Sequence, residues 1–303
     1  MKFPLIVTCI LFSTLLTSHL SAQQWNEAEI QEMTDRAEAT VRKAFQVLWD
    51  FKVEFDMADT VRDPGRTGVI GQEYSVVTTT LGYENAKELS TKPGWAAWLV
   101  KDLAGHSIWE GADVAVCMSG SFPALNIAVF AALQELKADV KCISSVGASS
   151  YGANEPGFSW PEMERLLYEE GVLKIRSSTV TLGGTGDRGA EWEEYGMQIA
   201  MNSVKRSLLP LIKPNNLRDA INKRMRFYGN SGDYFCYINV GGSQASLGSG
   251  PKMRFDRGGW FLKPLPLKGD PQGVMDRFLE DGIPCLNLLF LERLDRTEGI
   301  TVR

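Results

Sequence analysis

Ser119-Gly120-Ser121 is the first place in the chain where chemistry could sit. One apolar run, Ala112 to Met118, ends there, and a second, Pro123 to Leu136 at helical spacing, begins just after. Two short hydroxyls around a glycine at a strand-to-helix bend have the setting of a nucleophile elbow, without its Gly-x-Ser-x-Gly spacing. Three further bends share the composition. They are Ser144-Ser145-Val146-Gly147-Ala148-Ser149-Ser150-Tyr151-Gly152-Ala153-Asn154, then Gly183-Gly184-Thr185-Gly186-Asp187-Arg188-Gly189, then Gly241-Gly242-Ser243-Gln244-Ala245-Ser246. Thr79 and Thr80, in Thr78 to Gly82, add a possible hydroxyl wall. Glycine admits close backbone approach, Ser and Thr supply hydroxyls, and helix N-termini supply amide donors and a positive dipole end. Together they describe a cradle for a carboxylate or phosphate. Taken singly, each bend is equally well a helix cap or a connector.

The supply of bases narrows the chemistry. The chain has two histidines, His19 near the N-terminus and His106 in the connection entering the first strand, at the edge opposite Ser121. A Ser-His-Asp triad is therefore not expected. A His-rich zinc site is excluded and the cysteines lack metal-ligand spacing, so no metal is expected. No Gly-x-x-x-x-Gly-Lys-Ser/Thr occurs, and no Gly-x-Gly-x-x-Gly follows the first strand, so no cofactor is expected either. What remains is carboxylates, hydroxyls, Arg and Lys. The catalytic candidates are Ser121, Ser119, Glu73 and Asp187, with Arg188 as a clamp for a substrate carboxylate.

Something must bring these bends together, and the element pattern supplies it. Strand-like runs at Ala112–Met118, Val140–Ser145, Ser177–Leu182, Tyr234–Val240 and Ile283–Leu289 alternate with helical stretches at 123–136, from the cap Ser159 with Trp160-Pro161-Glu162, and at 190–209, 217–227 and 271–280. Short strands are also expected at Gly68–Gly71 and Tyr74–Val77, and a helix at Trp95–Leu103. Such alternation predicts an α/β fold, a mostly parallel sheet with helices on both faces, Rossmann-like in type. In such a sheet the loops after the strands gather at one edge, where ligands bind. The ligand-binding set expected there is Ser119, Gly120, Ser121, Ser144, Ser145, Ser149, Ser150, Asn154, Thr79, Thr80, Gly183, Gly184, Asp187, Arg188, Gly242 and Ser243.

A long amphipathic helix should precede the sheet. Ile30, Met33, Ala37, Val41, Ala44, Leu48, Phe51 and Phe55 step by three or four, and Asn26 with Glu29 has capping-box spacing. Asp63-Pro64-Gly65 then breaks the pattern. The division expected is residues 1–22 as a signal or uncleaved anchor, 23–66 as helix and linker, and 67–303 as the α/β domain. Lys2 followed by an apolar stretch to Leu16 and a small-residue exit at Ser21-Ala22 predicts export to the periplasm or beyond. Cys117, Cys142, Cys236 and Cys285 lie in apolar strand-like runs and read as small hydrophobes, although export permits disulfides.

The chain is acidic, with 32 Lys plus Arg against 37 Asp plus Glu, so nucleic acid is not an expected partner. Lys205, Arg206, Lys213, Arg218, Lys223, Arg224 and Arg226 form a basic stretch. It is either a solvated helical face or a docking strip for an anionic polymer or membrane surface.

From Gly71 through Leu81-Gly82, Ser119 to Asn126, Ser144 to Asn154 and Gly183 to Gly189, the chain resembles the poly-gamma-glutamate system protein family. The likeness is dense from about Gly68 to Gly189 and looser beyond. It implies a process and a compartment, the synthesis and export of an anionic polymer outside the cytoplasm, and carries over no catalytic residue. Three functions follow as expectations. One is an accessory component that binds the polymer or its synthesis and export complex. The second is a serine-dependent hydrolase or transferase acting on amide bonds, with a carboxylate or Lys as base. The third is an oligomerising scaffold built on the helix at 26–57.

Overall fold

The computed structural model describes residues 25–250, 254–266 and 269–301; the expected signal at 1–22 lies outside them. Helix α1 (Glu27–Glu54) opens on the expected capping box, with the Asn26 side chain accepting from Glu29 N and Glu29 accepting from Asn26 N. Strand β1 (Thr78–Thr80) leads to α2 (Glu84–Ser90), α3 (Gly94–Gly105) and β2 (Asp113–Met118). Then come α4 (Pro123–Glu135), β3 (Asp139–Ser145) and three two-residue strands, β4 (Ala148–Ser149), β5 (Asn154–Glu155) and β6 (Phe158–Ser159). Helix α5 (Trp160–Glu169) has its own capping box, from Ser159 and Glu162. Strand β7 (Thr179–Thr181) follows, then α6 (Glu194–Ser207), α7 (Leu217–Tyr228), β8 (Cys236–Val240) and α8 (Gln244–Leu247). The chain closes with β9 (Gly259–Phe261), α9 (Val274–Glu280), β10 (Cys285–Leu288) and α10 (Leu291–Glu298).

The central sheet runs β7-β3-β2-β8-β10-β9. All pairings are parallel except β9 on β10, an antiparallel edge. The fold is thus α/β with a mixed, mostly parallel sheet. Successive residues of β2 show why both faces need cover. Val114, Val116 and Met118 pack into one core with α1, α3 and α4, whereas Ala115 and Cys117 pack into a second with α7 and α9. This double burial explains the near-continuous apolar strands. The four cysteines Cys117, Cys142, Cys236 and Cys285 are buried and unpaired, filling space in these cores.

Most of the stripe on α1 is spent inside the molecule, and only its end is open, Phe55 being 56% exposed. Met33, Ala37, Val41, Ala44 and Leu48 are buried in the core shared with α3 and α4. Each large side chain so buried contributes about 1.5–3 kcal/mol. Lys52 Nζ lies 2.6 Å from Glu155 Oε2, pinning the end of α1 to β5. Helix α1 and the residues after 67 therefore share one core, and most of the face expected to drive oligomerisation is covered by the chain's own helices.

Two expectations are corrected here. Gly68–Gly71 and Tyr74–Val77 are not strands; the strand in this region is the three-residue β1, which starts directly after Val77 and pairs with β4. Gly71 instead packs against the backbone of Gly152, where a Cβ would come within 1.9 Å of the carbonyl oxygen. The basic stretch is also not a continuous strip. Arg224 is buried, Arg206 pairs with Glu162, Arg218 with Asp270 and Lys223 with Asp219.

Candidate functional site

Reading along the sheet, the strand order turns back on itself between β2 and β8. Loops that follow adjacent strands on either side of such a point diverge and leave a crevice. A cleft of about 580 Å³ lies there, walled by all four expected bends and by the segment after β10. Ser119 and Ser121 follow β2, Ser145 and Ser149 follow β3, Gly183 and Gly184 follow β7, and Gly242 and Ser243 follow β8. Thr79 and Thr80 also line it.

The remaining sequence candidates fall elsewhere. Glu73 is exposed and off the cleft wall. Ser144 is buried among Glu164, Ser177 and Trp160, where it satisfies a carboxylate that burial pushes up in pKa. Asn154 is a brace, accepting from Gln72 N and donating to Gln72 O and to Thr78 Oγ1. Ser150 is buried, its hydroxyl unpartnered and not on the wall. Gly120 sits behind the wall on the Gly147 carbonyl.

Asp187 and Arg188 need a fuller correction. Asp187 neither caps a helix nor faces the cleft. Its carboxylate takes two hydrogen bonds from the Arg224 guanidinium, at 2.7 and 2.9 Å, and one from Thr181 Oγ1 at 2.8 Å. Both partners are about 1% exposed. Burial works against the Arg224 charge, but Asp187 holds its pKa well above the ordinary value. This is a paired, saturated ion bridge joining the loop after β7 to α7. Arg188 points outward and donates to the Asn215 carbonyl.

The glycines also do different work from that expected. A Cβ at Gly120 would stand 3.0 Å from the carbonyls of Val146 and Gly147, and one at Gly152 2.8 Å from that of Gly120. Glycine at these positions lets the loops pack on one another rather than on a ligand. The bend after β7 is already occupied. Glu191 accepts from Thr185 N at 2.9 Å, filling the space beside Gly184, and Gln244 accepts from Gly186 N.

The group that the sequence reading missed is Lys87. It lies on α2, seven residues long and too short to show helical periodicity. Its Nζ lies 2.9 Å from Ser149 Oγ, donates to the Ser121 carbonyl and sits 3.7 Å from the centre of the Phe122 ring. Among the described residues no carboxylate forms an ion pair with it. Burial without a counter-charge disfavours the ammonium form, and its pKa falls to about 7. Ser149 N in turn donates to Ser121 Oγ at 3.0 Å, so the two serines and the lysine form one cluster. Ser119 Oγ accepts only from Ser121 N, at 3.3 Å, and has no base beside it.

His106 is remote from this cluster. It stacks on Trp260 with ring centres 4.2 Å apart, beyond the opposite end of β2. Among the described residues no group of His, Cys, Asp and Glu is placed to hold a metal ion. None of their helices is long and apolar enough to cross a membrane. No protein-family model, curated protein or solved structure matches the chain.

Proposed function

We propose that this protein is a serine-dependent acyl hydrolase or transferase, with Ser149 as nucleophile and Lys87 as its general base. The observation that carries the reading is the 2.9 Å contact between Ser149 Oγ and an amine whose pKa burial has lowered to about 7. A hydroxyl is a poor nucleophile until a base beside it takes the proton, and an amine near neutrality is suited to that task. Ser-Lys pairs are a recognised variant of the triad logic.

In the protonated form Nζ donates to Oγ; in the neutral form the hydroxyl donates to the nitrogen lone pair. As Oγ attacks a carbonyl carbon, its proton passes to Nζ. The resulting ammonium then gives that proton to the departing amine or alcohol, leaving an acyl-serine. Water or another acceptor attacks the acyl-serine, with Lys87 again taking the proton, and Ser149 is released. Helix α4 begins two residues after Ser121, and the positive end of its dipole favours the charge that develops on the carbonyl oxygen.

We assign this activity to the extracytoplasmic production of poly-gamma-glutamate, as an accessory component, on two grounds. They are the resemblance over about Gly68 to Gly189 and the leader pattern from Lys2 to Ala22. We also take the sheet to be Rossmann-like in type, since the crevice at the reversal between β2 and β8 is where that type binds ligands. Simple capture of the anionic polymer in this cleft has less support. Its lining offers Glu191 and one amine near neutrality, and Arg188 lies outside it.

A fluorophosphonate probe, which phosphonylates activated serines, tests the reading directly. Labelling should map to Ser149 by peptide mass spectrometry, fall at least 10²-fold in Lys87→Met, and persist in Ser119→Ala. An unlabelled folded protein, or labelling confined to another serine, would overturn it.

A further inference from the structure

The cleft is lined by two kinds of surface. Hydroxyls and glycines supply one, and Leu81, Tyr83, Phe122, Leu289, Phe290 and Leu291 supply the other, with Leu81 and Tyr83 flanking Gly82 beside Ser149 and Phe122 beside Lys87. We infer that the acyl group carried to Ser149 is an uncharged, apolar one, held on this apolar surface. The inference rests on the serine-acyl reading and narrows its substrate class.

Three observations converge on it. First, Leu81 and Tyr83 are 80% and 85% exposed at the mouth of the cleft. Large apolar side chains left in water beside a reactive group mark contact area for a ligand. Second, Phe290 adopts φ +57° and ψ +48°, the left-handed region that a bulky residue enters only at a cost. That conformation lies between the end of β10 and the start of α10, the turn that sets Leu289, Phe290 and Leu291 on the wall. Third, the apolar surface is bounded. An adjoining groove of about 470 Å³ shares Tyr83, Ala86, Phe290 and Leu291 with the cleft, but beyond them it is lined by Glu84, Asn85, Glu292, Arg293 and Arg296. The apolar surface that a group on Ser149 would meet is thus that of the cleft itself.

The charges agree. Among the described residues the only charged side chains on the cleft wall are Lys87 and Glu191. Burial brings the Lys87 pKa down to about 7, so the amine is about half protonated at neutral pH, and the Glu191 side chain is already engaged by Thr185 N. An acyl group bearing a carboxylate would approach Glu191 within the cleft, whose described lining carries no guanidinium; Arg293 and Arg296 lie out in the adjoining groove. Desolvating that carboxylate without a partner would cost more than the apolar wall returns. A glutamyl residue of an anionic polymer is therefore disfavoured as the acyl donor. A polymer could enter only as the acceptor or leaving side of the transfer, which extends into solvent.

A 4-nitrophenyl ester series from acetate to octanoate, with the hemiglutarate as the anionic match of pentanoate, reads the acyl preference. kcat/KM should rise about fourfold for each methylene buried. The hemiglutarate should react at least tenfold more slowly than pentanoate, and Leu81→Ser should flatten the rise. A flat series, or a preference for the hemiglutarate, would overturn the inference. Calorimetry on Ser149→Ala with the matching N-methylamides separates this inference from the parent reading, because it needs no turnover. Affinity that grows with chain length supports the apolar site even if the probe leaves Ser149 unlabelled. Affinity only for the anionic amide sinks it even if Ser149 reacts.

Discussion

Two buried cations lie close to the same sheet edge and have opposite fates. Arg224 is enclosed with Asp187, its guanidinium neutralised by a two-point ion bridge. Lys87 is enclosed with hydroxyls, a carbonyl and an aromatic ring, and among the described residues no carboxylate is paired to it. The cost of taking a charge out of water is met by a counter-charge in the first case and by loss of the proton in the second. The paired cation is a fastener, and every donor it points toward the loop is already used. The unpaired one lies 2.9 Å from a hydroxyl with its pKa lowered to about 7, which is why we propose it as the base. Burial and charge alone would rank both as functional; the presence or absence of a partner separates them.

Breaking the fastener should have the largest effect. Asp187→Asn removes the counter-charge and leaves the Arg224 guanidinium buried and unbalanced. Loss of one partner of a buried pair costs about 3–5 kcal/mol. Denaturant unfolding should report that loss, whereas Lys87→Met should be neutral or stabilising because it removes a desolvated amine. If Asp187→Asn unfolds at the wild-type midpoint, the ion bridge is not the structural element described here.

The same contrast explains what could be read from the sequence. The five parallel strands, α4, α6, α7 and the capped starts of α1 and α5 were legible, because each carries a period or a cap over enough residues to stand out. The gathering of four loops at one edge followed from the parallel order alone. Asp187 was misassigned because its partner stands 37 residues away, on the polar-looking helix α7, and nothing local says that Arg224 faces inward. Lys87 was missed because Glu84–Ser90 is two turns of polar residues, which looks like surface. Its burial is a tertiary effect, produced when β1 pairs with β4 and draws α2 over Ser149. The antiparallel β9 and helix α10 were missed for a similar reason, being three and eight residues long.

Proton linkage separates the two cations next. Free lysine keeps its proton to about pH 10.5, and folded Lys87 keeps it only to about pH 7. Between those values the unfolded chain binds the extra proton, so raising the pH favours the folded state. Below pH 7 the burial penalty is present in full and constant; above it the penalty is lifted by roughly 1.4 kcal/mol per pH unit. The difference in unfolding free energy between wild type and Lys87→Met should therefore shrink as pH rises from 7 toward 9. Probe labelling of Ser149 should rise over the same titration as the amine becomes free. Arg224 has no proton to lose in this range, so Asp187→Asn should lower stability by a similar amount at both ends. A wild-type-minus-Lys87→Met difference that stays flat across the window would place the amine's titration elsewhere and remove the base from the mechanism.

The smallest effect tests how closely the lysine cluster is built for reaction rather than for packing. Gly82 lies between β1 and α2, beside Ser149, and its backbone is in no region closed to other residues. A Cβ there would stand 3.0 Å from Ser149 Oγ and 3.0 Å from the Ser150 carbonyl. The carbonyl belongs to a loop fixed by the Thr80 oxygen, which accepts from Ser150 N at 3.0 Å, so the hydroxyl is the atom with room to shift. Gly82→Ala should thus move Ser149 Oγ by a few tenths of an ångström away from its line to Lys87. Misplacement of that order lowers reactivity about tenfold, since a full 1 Å costs ~10². Stability should change little, because alanine fits the backbone and loses less conformational entropy on folding than glycine. The informative result is the split between the two measurements. Slower labelling at an unchanged unfolding midpoint marks Gly82 as the residue that keeps the hydroxyl aligned with its base. An earlier midpoint with undiminished labelling would make Gly82 one more packing glycine, like Gly120 and Gly152, and would leave the alignment of Ser149 to Lys87 alone.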